Sequence, residues 1–140
     1  AAAMIVCSES FAAKHSLRPL ARFVAQGWAG QKPEWFTTAP IGAVQNVLTK
    51  AKLSAAEIDL FEINEAFSAV ALACSSQLKL DAAKVNICGG AVALGHPIGA
   101  SGARILTTLL YSLQRMNLKR GIAAICNGGG EATAVIVERV

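Results

Sequence analysis

The sequence is poor in charged and aromatic residues, which make up only 16% and 6% of its 140 residues. Its 13 basic and nine acidic side chains leave a net charge of +4, and the basic ones are spread along the chain. A nucleic-acid-binding surface usually needs a basic stripe and aromatic side chains on which bases stack. The composition therefore argues against nucleic acid as a partner. The mild positive charge would instead help to attract a phosphorylated anionic ligand.

Cysteine is scarce and unpaired in the sequence. The four cysteines are Cys7, Cys74, Cys88 and Cys126, and none stands in a C-x-x-C motif. A chain of this size needs no disulfide framework, so reduced thiols in a cytoplasmic compartment fit best. A zinc site made of Cys88, His96 and Cys126 would lack the paired spacing of metal ligands, so no metal site is expected.

Long apolar runs are missing as well, although apolar residues are abundant. No run reaches the roughly 18 residues that cross a membrane, and the first seven residues lack the basic start of a secretory signal. No membrane partner is therefore expected. Hydrophobic residues nevertheless make up 54% of the chain. This share fits a small, well-packed domain or, as we favour, a domain whose apolar surface partly meets another domain or subunit.

The hydrophobic pattern predicts one layered α/β domain over residues 1–140, with a mixed five-stranded sheet and helices on its faces. Cys7, at the end of the first apolar run, and Cys74, within a helix, are expected in the core. Helices are predicted near residues 8–14, 41–53, 66–78 and from about 96 onward. Ser8 is a plausible cap of the first helix, and Ser54 and Glu57 have the spacing of a capping box. Six runs have the character of strands, one more than the five-stranded sheet needs, and they lie at residues 1–7, 21–29, 58–63, 85–88, 120–126 and 132–140. Residues 31–40 are predicted as a loop.

A single histidine, His96, stands in the stretch richest in glycine, residues 89–102, just ahead of a strongly periodic apolar pattern. Pro97 suits the first position of the helix, because the amide hydrogen that it lacks would have no partner there. The positive end of that helix would stabilise a developing anion beside the imidazole. A glycine-rich turn with a purely structural histidine is the alternative.

Three chemically useful side chains follow predicted strand ends: Asn64, His96 and Cys126. Taken singly, an asparagine at a strand-to-helix junction is an ordinary cap, and a cysteine before a turn is an ordinary small apolar residue. Ligands of α/β sheets gather where strands end and loops cross. We therefore expect the three to converge at one end of the sheet, with His96 and Cys126 within about one bridging water of each other.

Taken together, three motifs are far more specific than any one of them. They are N-E-A-F at residues 64–67, G-H-P-x-G-x-S-G at 95–102 and C-x-G-G-G at 126–130. In this order and spacing they resemble the C-terminal domain of the thiolases, of the acetyl-CoA C-acetyltransferase or 3-ketoacyl-CoA thiolase kind. The resemblance runs across essentially all 140 residues.

The resemblance implies a role for each of five residues. His96 would be the base that activates a nucleophilic cysteine and would help to hold an enolate or thioester oxygen. Cys126 would be the acid/base that exchanges the α-proton of the acetyl group. Asn64 would fix a water in one oxyanion hole, the Gly128 N–H would donate to a second, and Phe67 would line the acyl or pantetheine side. A thiol acts as a base near neutral pH only if its pKa is lowered, for example by a histidine and a helix N-terminus.

By the same resemblance the chain is half of an enzyme for Claisen condensation or its thiolytic reverse, acting on coenzyme A thioesters without a cofactor. The nucleophilic cysteine would lie in an N-terminal domain absent from this sequence, so the chain alone would be inactive. Its expected partners are acyl-CoA, CoA and that domain, within a homo-oligomer (dimer or tetramer) of fatty acid metabolism. The alternative is a non-catalytic acyl-CoA-binding or assembly domain of the same fold.

Overall fold

A computed structural model describes residues 1–140 and contains one mixed, four-stranded sheet. Its strands are β1 (Ala21–Gly30), β2 (Leu60–Ile63), β3 (Arg120–Cys126) and β4 (Glu131–Arg139). They lie side by side in the order β1-β4-β3-β2. β4 pairs antiparallel with β1 and with β3, whereas β2 pairs parallel with β3. The α/β class is confirmed, with one strand fewer than predicted.

The chain also forms five α-helices. They are α1 (Glu9–Lys14), α2 (Ala39–Ala51), α3 (Ser68–Gln77), α4 (Ala91–Leu94) and α5 (Ile98–Arg115). α4 was not predicted, and the predicted loop before α2 contains a 3-10 helix over Pro33–Thr38. None of these helices combines the length and apolar character that crossing a membrane requires.

The two faces of the sheet bury two separate apolar clusters. The first lies under α2 and α3, where Val44, Val70 and Cys74 pack with Ile122 of the sheet. The second lies under α5, where Ile105, Leu109 and Leu113 pack with alternate residues of the same strands, among them Ala123. Successive residues of β3 therefore serve opposite clusters, as strand geometry requires. The predicted burial of Cys74 is confirmed.

The predicted first strand, Ala1–Cys7, is wrong. These residues form no strand, Ile5 and Val6 are 91% and 66% exposed, and Cys7 is exposed rather than part of the core. A strand exists only where its backbone groups pair with a neighbour. The composition of this run favours a strand but does not by itself make one, because no strand of the sheet pairs with it.

The predicted strand at Val85–Cys88 is also wrong, and Asn86 provides the reason. Val85 makes only one isolated parallel bridge, to Phe61. Asn86 then takes a left-handed backbone conformation (φ 47°), which an extended strand cannot contain. Its side chain instead completes the edge of β2, since Nδ2 donates to the Ile63 carbonyl at 2.9 Å and Oδ1 accepts from the Ile63 N–H at 2.8 Å. The residue after Ile63, Asn64, is thereby held in place.

Replacing Asn86 by alanine should lower the free energy of unfolding by about 1–3 kcal/mol, because the buried Ile63 N–H would lose its acceptor. Asn46→Ala is the matched control, since Asn46 makes only an exposed hydrogen bond, to the Trp28 carbonyl. Urea unfolding followed by circular dichroism measures both variants. Equal effects of the two substitutions would show that the Asn86 side chain does not support the edge of β2.

Candidate active site

A cleft of about 450 Å³ opens where β2 and β3 end. His96, Cys126, Gly128 and Phe67 line it, together with Phe36, Ala66, Ile98, Ile125, Asn127 and Thr133. Asn64 lies fully buried directly behind, with Nδ2 3.4 Å from His96 Nε2. The structure thus brings together all five residues that the sequence analysis selected. It does so because parallel strands end at the same edge of a sheet.

His96 reaches the cleft from a loop that is fixed at both ends. Gly95 takes a left-handed conformation (φ 87°) and ends α4, and Pro97 caps α5. In α4, just before the loop, the Glu65 carboxylate accepts a hydrogen bond from the Val92 N–H at 2.9 Å. The glycine-rich segment is therefore bound directly to the residue that follows Asn64.

Ser101 contacts one of the two imidazole nitrogens of His96. Its hydroxyl donates to the Pro97 carbonyl at 3.1 Å and lies 2.6 Å from His96 Nδ1. Since the hydroxyl proton is already used, Ser101 Oγ accepts from Nδ1–H, and Nε2 keeps its lone pair. This assignment rests on the hydrogen-bond network, and it leaves Nε2, on the side of Asn64, able to accept a proton.

Cys126 ends β3 opposite Ala132 of β4 and is buried. Burial raises the pKa of its thiol, and a hydrogen bond from its own backbone only partly opposes this. This environment therefore does not lower the thiol pKa toward neutrality, because apolar surroundings disfavour the thiolate. The thiol of Cys126 is held in its protonated form, as a proton donor. Cys74, deeper in the same cluster, has its pKa raised by burial to about 12.

Gly128 lies in the turn that joins β3 to β4. Asn127 holds the turn, since its N–H donates to the Glu131 carbonyl at 2.8 Å and its side chain accepts from the Gly129 N–H at 2.8 Å. The Gly128 N–H donates to no group of the chain, and no atom lies within 4 Å of where its Cβ would stand. This N–H is a free donor beside the Cys126 thiol.

Most of the rest of the cleft wall is apolar. Phe67 is 60% exposed and packs edge-to-face on Phe36, with ring centroids 6.0 Å apart. Ile98, at the start of α5, is 84% exposed. Sequence reasoning did not select Phe36, which lies in a segment predicted as a loop.

Two charged residues behind Asn64 were also missed. Glu62, in the middle of β2, is almost completely buried, and its carboxylate lies 3.8 Å from Nη1 of Arg104. Arg104 Nη2 in turn donates to Asn64 Oδ1 at 3.4 Å. A charged residue inside the apolar run L-F-E-I was the sequence signal that could have revealed this pair.

No group of three or more His, Cys, Asp or Glu side chains is arranged to hold a metal ion. Of the three residues considered for zinc, Cys88 is exposed and contacts Ser112 and Arg115 of α5.

The chain matches the family model of the thiolase C-terminal domain over residues 17–139. It is 51% identical to a probable acetyl-CoA acetyltransferase of Dictyostelium discoideum, over 100% of this chain and 34% of that protein. It is 49% identical to the cytosolic acetyl-CoA acetyltransferase of Mus musculus, over 99% of this chain and 35% of that protein.

Its fold is similar to that of human mitochondrial 3-ketoacyl-CoA thiolase, whose crystal structure was determined in complex with CoA. The TM-score is 0.93 at 42% identity, over 95% of this chain and 34% of the human one. This chain therefore spans about a third of the length of the curated relatives that it matches.

Alkylation at neutral pH should divide the four cysteines into two classes. Cys7 and Cys88 are exposed and should react first, whereas burial and a raised pKa should make Cys126 at least about tenfold slower. Cys74 should react slowest. Peptide mapping by mass spectrometry after timed exposure to iodoacetamide gives the four rates. A Cys126 rate equal to that of Cys88 would contradict the buried, protonated thiol.

Glu62 should make the chain less stable as the pH rises from about 5 to about 8. Burial raises the pKa of its carboxyl to about 7 from 4.5, so the folded state binds more protons than the unfolded state between these values, and stability falls on deprotonation. The wild type should lose on the order of 3 kcal/mol relative to Glu62→Gln over this range.

Glu57→Gln is the matched control for this measurement. The pKa of Glu57 is lowered by its hydrogen bonds to Ser54, so this carboxyl is ionised in both states above pH 5. The difference in unfolding free energy between wild type and Glu57→Gln should therefore stay constant. Urea unfolding at pH 5, 6.5 and 8 measures both differences, and a constant difference for Glu62→Gln would exclude a raised pKa.

Proposed function

Since this chain belongs to the thiolase family, as a C-terminal domain, we propose that it forms one half of an acyltransferase active site. The reaction is acyl transfer between acyl-CoA thioesters by Claisen condensation or its thiolytic reverse, for example two acetyl-CoA giving acetoacetyl-CoA and CoA. The observation that carries the proposal is the cleft itself. It combines an imidazole whose Nε2 carries no proton, a protonated thiol and an unused backbone N–H.

The first half-reaction uses His96 as a base and Cys126 as an acid. His96 Nε2 takes the proton of a nucleophilic cysteine that the N-terminal part of the enzyme supplies, and the thiolate attacks the thioester carbonyl. The Gly128 N–H and a water held by Asn64 stabilise the oxyanions that develop. The CoA thiolate leaves as the acyl-enzyme forms, and it takes the proton of Cys126.

The second half-reaction returns both protons. The Cys126 thiolate, now without its proton, removes an α-proton from the second acetyl-CoA, and the resulting enolate attacks the acyl-enzyme. The nucleophilic cysteine leaves as a thiolate and recovers its proton from His96. The raised pKa of Cys126 suits this order of events, because the strongest bases are the conjugates of weak acids. No cofactor is needed, since CoA and its thioesters are the substrates.

The remaining two thirds of such an enzyme would be the principal partner of this domain. Several large apolar side chains of the cleft wall, α3 and α4 are exposed and would be covered by it. They are Phe67, Leu72, Val92, Leu94 and Ile98. A homo-oligomer, dimer or tetramer, would assemble from the completed subunits. A cytoplasmic location, as the name of the mouse relative suggests for that protein, and a role in fatty acid metabolism complete the proposal.

The test compares two buried cysteines in the completed enzyme, in which the N-terminal part has been supplied to this chain. Cys126→Ser should lower the condensation rate by about 10²–10⁴-fold, because a hydroxyl is a far poorer acid/base than a thiol at this position. Acylation of the nucleophile by labelled acetyl-CoA should stay measurable, since CoA is a good leaving group. Cys74→Ser, in the core and away from the cleft lining, is the matched control and should leave condensation within about tenfold of wild type.

The chain alone should show no turnover in the same assay, because it lacks the residue that carries the acyl group. Cys126→Ser blocking acylation as severely as condensation would refute the role of Cys126. Turnover by the chain alone that disappears in Cys7→Ala would identify Cys7 as the nucleophile and refute the two-part site. A non-catalytic acyl-CoA-binding domain would bind CoA thioesters but show no turnover in either preparation.

A further inference from the structure

Arg104 lies at one end of a hydrogen-bond chain that leads to His96. Arg104 Nη2 lies 3.4 Å from Asn64 Oδ1, and Asn64 Nδ2 lies 3.4 Å from His96 Nε2. On the other side of the ring, His96 Nδ1 lies 2.6 Å from Ser101 Oγ, which donates to the Pro97 carbonyl. This series of hydrogen bonds thus begins at a guanidinium, which can only donate, and ends at a carbonyl, which can only accept.

These two ends allow only one direction of donation. Since Arg104 must donate, Asn64 must present Oδ1 to it and its NH₂ group to His96. His96 must then accept at Nε2 and donate from Nδ1. The amide of Asn64 could otherwise rotate by half a turn, because its oxygen and nitrogen differ little in shape. That rotation would place Oδ1 against His96 and favour a proton on Nε2.

Glu62 keeps the guanidinium in this position. The Glu62 side chain is 3% exposed and that of Arg104 is 18% exposed, with Oε2 and Nη1 3.8 Å apart. The buried Nε and Nη1 of Arg104 have no hydrogen-bond partner, and Glu62 is the one acidic side chain that forms an ion pair with this guanidinium. Ser101 and Arg104 stand three residues apart on α5. One face of this helix therefore carries both the residue that contacts His96 Nδ1 and the residue that contacts the Asn64 amide.

We propose that Arg104, held by buried Glu62, is a positioning residue that fixes the orientation of the Asn64 amide and thereby keeps the proton of His96 on Nδ1. The functional consequence, an Nε2 that carries no proton and can act as a base, rests on the proposed function. The positioning itself concerns only side chains of this chain and is measurable without turnover.

The experiment is ¹⁵N NMR of the imidazole rings in the 140-residue chain at a pH where the rings are neutral. The chain has only two histidines, and His15, at the end of α1, is the internal reference. In the wild type, His96 should give a single tautomer with the proton on Nδ1. In Arg104→Met the ratio of the Nε2–H to the Nδ1–H form should rise roughly tenfold, the effect of about one lost hydrogen bond.

Arg104→Met alone leaves a buried carboxylate without a cation and could unfold the chain. The variant Glu62→Leu/Arg104→Met removes both charges together, which cores often tolerate. Arg115→Met is the matched control, because it makes the same substitution on an exposed turn of the same helix, and it should leave both histidines unchanged.

A tenfold rise of the Nε2–H form in the folded double variant, with His15 unchanged, would support the positioning role. A His96 tautomer ratio within twofold of wild type in the same folded variant would overturn it, since Ser101 would then suffice. Failure of the completed enzyme to turn over, with the NMR result as expected, would refute the proposed function and leave the positioning role intact.

Discussion

The parallel pairing of β2 with β3 is the constraint on which the rest of this structure depends. It sets Ile63 beside Ala124, and the Asn64 N–H continues the pairing by donating to the Ala124 carbonyl at 2.9 Å. Asn64 and Cys126 are 62 positions apart in sequence, yet Cys126 lines the cleft and Asn64 lies directly behind it. Parallel strands need a long crossover connection, and here that connection includes α3, α4 and α5, with His96 in the loop just before α5.

α5 joins the stability of the domain to the geometry of the cleft. Its buried face, from Ile105 to Leu113, packs on the sheet, while Ser101 and Arg104 in its first two turns surround the imidazole and the Asn64 amide. A shift of this helix would therefore change the core and the hydrogen-bond chain together. The reactive groups are held by an element that the core already fixes, which limits the reorganisation needed during a reaction.

Local patterns predicted most of the elements and the members of the site. The capping box of Ser54 and Glu57 forms as expected, Ser8 caps α1, and the strand-end positions of Asn64 and Cys126 placed both residues at the cleft. Local patterns predicted strands wrongly where the presence of a pairing partner decides whether a strand forms. Ala1–Cys7 has the composition of a strand but no neighbour to pair with, and Asn86 replaces a strand with side-chain hydrogen bonds.

The sequence by itself determined the α/β class, the glycine loop that carries His96 and the motif set of the family, because these depend on periodicity and on residue types at fixed spacing. Only the tertiary structure decided the protonation of the site. The raised pKa of Cys126, the tautomer of His96 and the pairing of Glu62 with Arg104 depend on burial and on contacts between distant segments. Such contacts set the local dielectric and the direction of each hydrogen bond, and no local pattern encodes them.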